Sequence, residues 1–488
     1  MSQKLPQTGD DPYSAARVAR QAKWFTLSKI GIAVIALLTQ LVLVRHLSVL
    51  DYAGYTVFIG SVAVLVFFTM YGMDRVVYRF IPPLRAANLW REMSYFMAGM
   101  MLLRMLSIVF LIFLVWFVLR TVLSAQLVAQ LEAIPWQCLV YALALGGTDS
   151  FPVFCNALGQ QGRQSLLLML TTCLRMLLIL GFLWQGELSL TQVAWMMAGT
   201  EVLLAALLKL VILREIMQLR RAHPISPGQK LQFGFSLASV LRDSLSTQMA
   251  YSVALPFRGS FLRLIIASVA SPVVVASFGF FQTMADRAYQ FMPMFLMKGM
   301  LEPALANDYA KRKDVSRIRL TVSLLLRINA VILALAFGVL FGCGEQLINL
   351  LTNGRYGSEV YLAALILLQL AAMTLGEALW ISLNPIGRIH YHNRIWTGFA
   401  LLCYGLLALA TWLKNPLLLV AISALPYCLV YVWLRFVSRE ASLQTGFDIP
   451  RMARLILPMA AAFAVARATL LLPPSVWVSL LALCLALL

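Results

Sequence analysis

Charge is scarce in this chain, and negative charge scarcest. Only 12% of its 488 residues are charged, and 20 acids face 39 bases. With 61% hydrophobic residues and a mean hydropathy of +0.83, a soluble globular domain is excluded. Cysteine is sparse: Cys138, Cys155, Cys173, Cys343, Cys403, Cys428 and Cys484 stand singly, with no CxxC spacing. That rules against a disulfide framework or a thiolate metal site and leaves them as small apolar packing residues. Of the four histidines, His46 and His223 are isolated, and His390-Tyr391-His392 lies in a basic stretch that reads as a solvated turn. Neither GxxxxGK[ST], HExxH nor GxSxG occurs. No connection between apolar runs exceeds about twenty residues, which leaves no lobe for chemistry outside a membrane. The chain is not expected to be an enzyme, and no catalytic residue, metal or cofactor is expected. The first 23 residues lack an apolar core and a small-residue cleavage site, so they read as a tail rather than a signal peptide.

What the chain does have is long apolar segments, along almost its whole length. Fourteen are expected to span a bilayer: 24–44, 53–73, 95–119, 134–157, 165–184, 192–213, 231–257, 273–300, 317–341, 360–384, 395–413, 416–437, 452–472 and 475–488. The fold class is therefore all-α and polytopic. The N-terminal tail and the even-numbered connections carry 20 Lys and Arg, the odd-numbered ones 6. Cytoplasmic connections are the basic ones, so both termini are expected in the cytoplasm. Topology thus accounts for most of the net charge of +19, and no nucleic acid is expected as partner.

Two segments break the apolar pattern at their centres. Arg242–Asp243 sits in the seventh span and Asp286–Arg287 in the eighth. Each midplane charge costs roughly 2.5–3.5 kcal/mol on insertion scales unless it is paired or wet. Two readings stay open. Arg242 facing Asp286 and Asp243 facing Arg287 would make a structural lock. Alternatively the four line a polar pathway, with arginine for an anionic headgroup and aspartate for ion coupling. Arg258 and Arg263, expected on the outer side after the seventh span, would compensate a charge or meet a ligand there.

Comparing the two parts of the chain reveals a repeat. LLRMLSIVF (102–110) parallels LLRINAVIL (325–333), placing Arg104 against Arg327. Asp149, Asn156 and Gly159 share their spacing with Glu377, Asn384 and Gly387, and IPPLRAAN (81–88) resembles LEPALAND (301–308). The expected organisation is a tail (1–23), a six-helix lobe (24–213), a cytoplasmic linker (214–230), a second six-helix lobe (231–437) and two extra spans (438–488). Six spans per half make the repeats parallel, an arrangement that places substrate between the halves.

Residues 44–84 carry Arg45, Leu47, Ser48, Asp51, Tyr52 and Tyr55 after the first span, then Gly72, Arg79, Phe80 and Pro82 at the end of the second. This pattern, R-x-L-[SG]-x-x-[DE]-[YF] followed by R-[FY]-x-P, resembles Wzx-type polysaccharide flippases of the multidrug/oligosaccharidyl-lipid/polysaccharide (MOP) exporter superfamily. A glycine common after the motif's aromatic is Ala53 here, with Gly54 next. The resemblance implies two lobes in a V around a cavity lined largely by spans 1, 2, 7 and 8. It also implies alternating access and undecaprenyl-diphosphate-linked oligosaccharide as substrate, for exopolysaccharide, capsule or O-antigen synthesis. The location it implies is a bacterial inner membrane, with membrane lipids and polysaccharide polymerase or co-polymerase proteins as partners. Arginine suits a diphosphate because its fork donates two hydrogen bonds while staying charged. The expected substrate ligands are Arg75, Arg79, Arg242 and Arg287, with Arg45 and Arg258 at the outer mouth. Asp243, Asp286, Asp149 and Glu377 are expected to couple ions or to form structural pairs. Arg104, Arg175 and Arg327 are expected in structural pairs, with Glu201 as one partner. Two alternatives stand beside the flippase: a cation-coupled multidrug or small-molecule exporter of the same architecture, and a membrane polymerase or ligase component of polysaccharide assembly.

Overall fold

A computed structural model of the protein describes residues 15–73, 89–158, 160–222, 252–295, 314–383, 389–434 and 456–469, with single positions between them. Among the described residues the chain is helical throughout, with no strand. The helices are α1 (Ala15–His46), α2 (Val49–Phe68), α3 (Trp90–Val122), the short α4 (Ala125–Glu132), α5 (Pro135–Ala157), α6 (Gln161–Gln185) and α7 (Leu190–Ala222). After a 3-10 turn at Leu255–Phe257 come α8 (Gly259–Val269), α9 (Pro272–Phe291), α10 (Ser316–Thr352), α11 (Val360–Leu383), α12 (Ile389–Trp412), α13 (Pro416–Val432) and α14 (Ile456–Thr469). Nine of these (α1, α2, α3, α5, α6, α7, α10, α11 and α12) are long and apolar enough to cross a membrane, and α8, α13 and α14 are shorter apolar helices. The expected fourteenth span lies outside the described residues. On α3, Phe110, Phe113, Leu114 and Phe117 stand 55–74% exposed along one face, which in water would be untenable and in lipid is the ordinary outer surface. The chain is a multi-pass membrane protein.

Several helices overrun the expected spans. At 37 residues α10 is about 55 Å long, nearly twice the hydrocarbon thickness, and it departs from helical geometry at Cys343 (φ −143°, ψ 21°). The stretch 258–272, expected as an outer loop, is helix for eleven residues: α8 runs alongside α9, and only Ala270 and Ser271 turn the chain. Pro272 at the first turn of α9, with extended Ser271 before it, sets that turn.

The chain divides into two compact units, Met1–Ser252 and Val253–Leu488, so the division falls inside the expected seventh span. Each unit repeats the same set of neighbours. In the first, α5 packs on α7, α6 on α7, α3 on α5 and α2 on α5. In the second, α11 packs on α13, α12 on α13, α10 on α11 and α9 on α11, the same pairs in span order. The first core is apolar and built on helical spacing: Met73, Val77, Ile81 and Leu84 meet Phe154, Leu158, Leu204 and Leu208. A second core joins Phe257, Leu379, Trp396 and Leu434. Asn329 of α10 is fully buried, and neither polar atom of its amide has a partner among the described residues.

One helix is added to the second unit's repeat. α14 lies along α10, and the contact is made by small residues on both sides. A Cβ built on Gly338 would come within 2.6 Å of the Ala462 Cβ, and one on Gly342 within 2.5 Å of the Ala466 Cβ. Gly338-x3-Gly342 against Ala462-x3-Ala466 is a small-residue seam that lets two backbones touch, the usual way helices associate where the solvent is itself apolar.

Candidate functional site

The turn between α1 and α2 carries the motif that began the functional reading, and its parts are structural. The Ser48 hydroxyl oxygen accepts from the Asp51 amide at 3.0 Å and donates to the Asp51 carboxylate at 2.8 Å, capping α2. Above it, the Tyr52 hydroxyl donates to Gln40 Oε1 and Gln40 Nε2 donates to the Tyr55 hydroxyl, both at 2.9 Å and buried between the two helices. Leu47 is completely buried. Gly54 lies where a Cβ would sit 2.9 Å from Leu190 Cδ2, so small residues at 53 and 54 let α2 approach α7. Arg45, in the last turn of α1, is half-buried.

Buried charge in the first unit is arranged in pairs. Arg104 of α3 is wholly buried, with Nη2 3.6 Å from the Asp149 carboxylate of α5. The same guanidinium donates to the Ser150 hydroxyl and to the Val66 carbonyl of α2, the latter at 3.3 Å. Arg175 of α6 meets Glu201 of α7 at 2.6 Å and donates to the Thr200 hydroxyl at 2.8 Å. That is the expected structural pair, and Asp149 is the partner of Arg104 that spacing along the chain did not reveal. The repeat does not extend to this contact, because Arg327 of α10, at the position corresponding to Arg104, is exposed.

The second unit uses different partners. Arg263 of α8 is buried and reaches Asp286 of α9 at 3.3 Å and the Thr283 hydroxyl at 3.0 Å. Gln282 Nε2 donates to the other carboxylate oxygen at 2.9 Å. Of the two roles expected for Arg263 it therefore has the compensating one. Arg287 follows, half-buried, within electrostatic reach of Asp286. The Tyr289 hydroxyl donates to Glu377 of α11, and Arg258, Tyr427 and His392 share that electrostatic neighbourhood. Arg258 is exposed at the start of α8, about 16 Å along the helix from the turn at 270–271. Arg75, Arg79, Arg242 and Asp243 lie outside the described residues, and so do the expected Arg242–Asp286 and Asp243–Arg287 pairings. Among the described residues no three His, Cys, Asp or Glu side chains gather as a metal site.

The two carboxylates gripped by buried arginines, Asp149 and Asp286, have one feature in common. The side chain of each remains 46% exposed within the protein while its arginine is sealed. Each is thus a neutral pair with one open face.

No protein-family model matches the sequence, and no curated protein is detectably similar to it. Solved structures are. An inward-facing multidrug resistance MATE family transporter of the MOP superfamily superposes with a TM-score of 0.59 at 13% identity, over 89% of this chain and 95% of that one. The chain has the fold of the MATE and MurJ transporters. The lipid II flippase MurJ, in an inward closed conformation, matches with a TM-score of 0.59 at 11% identity, over 90% and 92%. The eukaryotic MATE transporter AtDTX14 matches with 0.53 at 13%, over 93% of this chain and all of that one. In this MATE/MurJ fold the repeated neighbours of the two units are the architecture itself.

Proposed function

We propose that the protein is a flippase that carries undecaprenyl-diphosphate-linked oligosaccharide from the cytoplasmic to the periplasmic leaflet of a bacterial inner membrane by alternating access. The observation that carries this reading is where the acids go. Asp149, Glu201 and Asp286 each face a guanidinium, at 3.6, 2.6 and 3.3 Å, and Glu377 is hydrogen-bonded by Tyr289. An exporter of cationic drugs needs carboxylates to offer its cargo, and these are already engaged, three by the protein's own arginines and one by a phenol. Arg287 and Arg258 of the second unit, with Arg45, Arg75, Arg79 and Arg242, are the residues proposed to receive a diphosphate, as bidentate donors that stay charged at any physiological pH. Lipid-linked sugar as cargo accords with the MurJ likeness.

A second reading, a cation-coupled exporter of small molecules, draws on the open faces of Asp149 and Asp286 and on the MATE likenesses. The test is flipping of defined lipid-diphosphate-sugars by reconstituted protein under imposed ion gradients, together with depletion in cells. Depletion should accumulate lipid-linked oligosaccharide on the cytoplasmic face. Unpolymerised intermediates on the outer face would instead point to a polymerase or ligase component. Replacing Arg287 with alanine should abolish flipping while membrane insertion and yield stay unchanged, and Arg242→Ala should do the same. Normal export by both variants would remove these arginines from the site.

A further inference from the structure

The second span is broken near the end of its apolar run, and the break is closed by a side chain from elsewhere. α2 ends at Phe68, Tyr71 and Gly72 both take left-handed backbone conformations (φ 48° and 57°), and helix resumes at Met73. Glycine adopts that conformation freely, whereas for tyrosine it is strained. In an unbroken helix the Phe67 carbonyl would accept from residue 71 and the amide of residue 72 would donate to residue 68. Here Gln248 of the seventh span stands in for the lost rungs: its Nε2 donates to the Phe67 carbonyl and its Oε1 accepts from the Gly72 amide, both at 3.1 Å. One turn earlier on the same face, the Ser244 hydroxyl donates to the Tyr71 carbonyl. A primary amide suits such a gap because its nitrogen donates while its oxygen accepts.

We infer that this break is a latch: Gln248 and Ser244 hold the second span kinked, and their withdrawal lets it close into a continuous helix. Apolar surroundings make both states definite. With the two side chains gone, the kinked form would leave the Tyr71 carbonyl and the Gly72 amide without the partners they have here, while the Phe67 carbonyl would keep the Met70 amide at 3.1 Å; the helical rungs are the nearest replacement. A second set of contacts, Thr69 Oγ1 to the Val66 carbonyl at 2.8 Å and the Tyr71 hydroxyl to Ser107 at 2.7 Å, comes from α3 and the span itself and does not depend on the seventh span. The seventh span is also where the chain passes from one compact unit to the other, only four residues beyond Gln248. The latch itself lies within the first unit and joins its second span to the seventh. It works the same way whatever the cargo.

Spin labels at positions 50 and 85, in full-length protein freed of its seven cysteines and held in lipid nanodiscs, read the two states as a distance. An unbroken helix separates these positions by about 52 Å, and a kinked one holds them closer. Gln248→Leu should shift the ratio of long to short distances at least tenfold toward the long one. Gly72→Ala should move it the same way by penalising the left-handed conformation, and it keeps the question answerable if Gln248→Leu folds poorly. An unchanged distribution in both variants would overturn the latch, and so would a broadened one with no long component. No substrate is added, so the outcome is independent of what the protein carries.

Discussion

Replacing Asp149 with leucine is expected to destabilise the first unit by about 3 kcal/mol, because it strands the wholly buried Arg104 guanidinium. The figure sits at the low end for a buried pair losing one partner, since the Arg104 guanidinium keeps its donations to Ser150 and Val66. The reverse change, Arg104→Met, leaves an exposed carboxylate that can hydrate or take up a proton, and should cost less. The double variant Arg104→Met with Asp149→Leu should recover most of the loss, because a methionine and a leucine fill the seam between α3 and α5 without a charge to satisfy. Thermal unfolding of the purified protein in one detergent ranks the four proteins. A double variant no better than Asp149→Leu alone would mean that the donations to Ser150 and Val66, rather than the ion pair, hold this region.

The second large effect belongs to the seam between α10 and α14. Gly338→Leu would drive a side chain into the Ala462 methyl, the Met459 carbonyl and the Phe463 amide, and Gly342→Leu into Ala466. Backbone cannot yield as a flexible side chain does, so the loss should reach at least about 3 kcal/mol, the upper range for overpacking. The effect is local, which makes it measurable. With a protease site inserted between residues 440 and 448, the cleaved C-terminal piece should co-purify with the rest of the wild-type protein and separate from either variant. Retention in both variants would show that other contacts bind α14.

The sequence reading and the structure agree where a pattern recurs and part where a single contact decides. Long apolar runs gave the helices, and LLRMLSIVF against LLRINAVIL pointed to units with matching neighbours. The motif from Arg45 to Tyr55 identified the fold for a physical reason: Ser48 and Asp51 cap a helix, and Tyr52, Tyr55 and Gln40 join two helices, so it encodes architecture and is silent about cargo. Partners distant in sequence were invisible. Nothing along the chain pairs Arg104 with Asp149 or Arg263 with Asp286. The signal for α8 was present in Leu262, Ile266 and Ala267, which recur at helical spacing and are buried, and in Ser271-Pro272, which starts the next helix. The break in the second span left only Gly72 as its mark, because what sustains it is an amide 176 residues later.

Asn329 offers a practical lever. A sealed side-chain amide with no bonding partner among the described residues has forfeited its hydration for no return, so exchanging it for leucine, close to it in size, should make the purified protein sturdier by about 1 kcal/mol. A longer half-life in detergent for Asn329→Leu would show it, and that variant would then be the natural parent for cryo-microscopy and ligand screening.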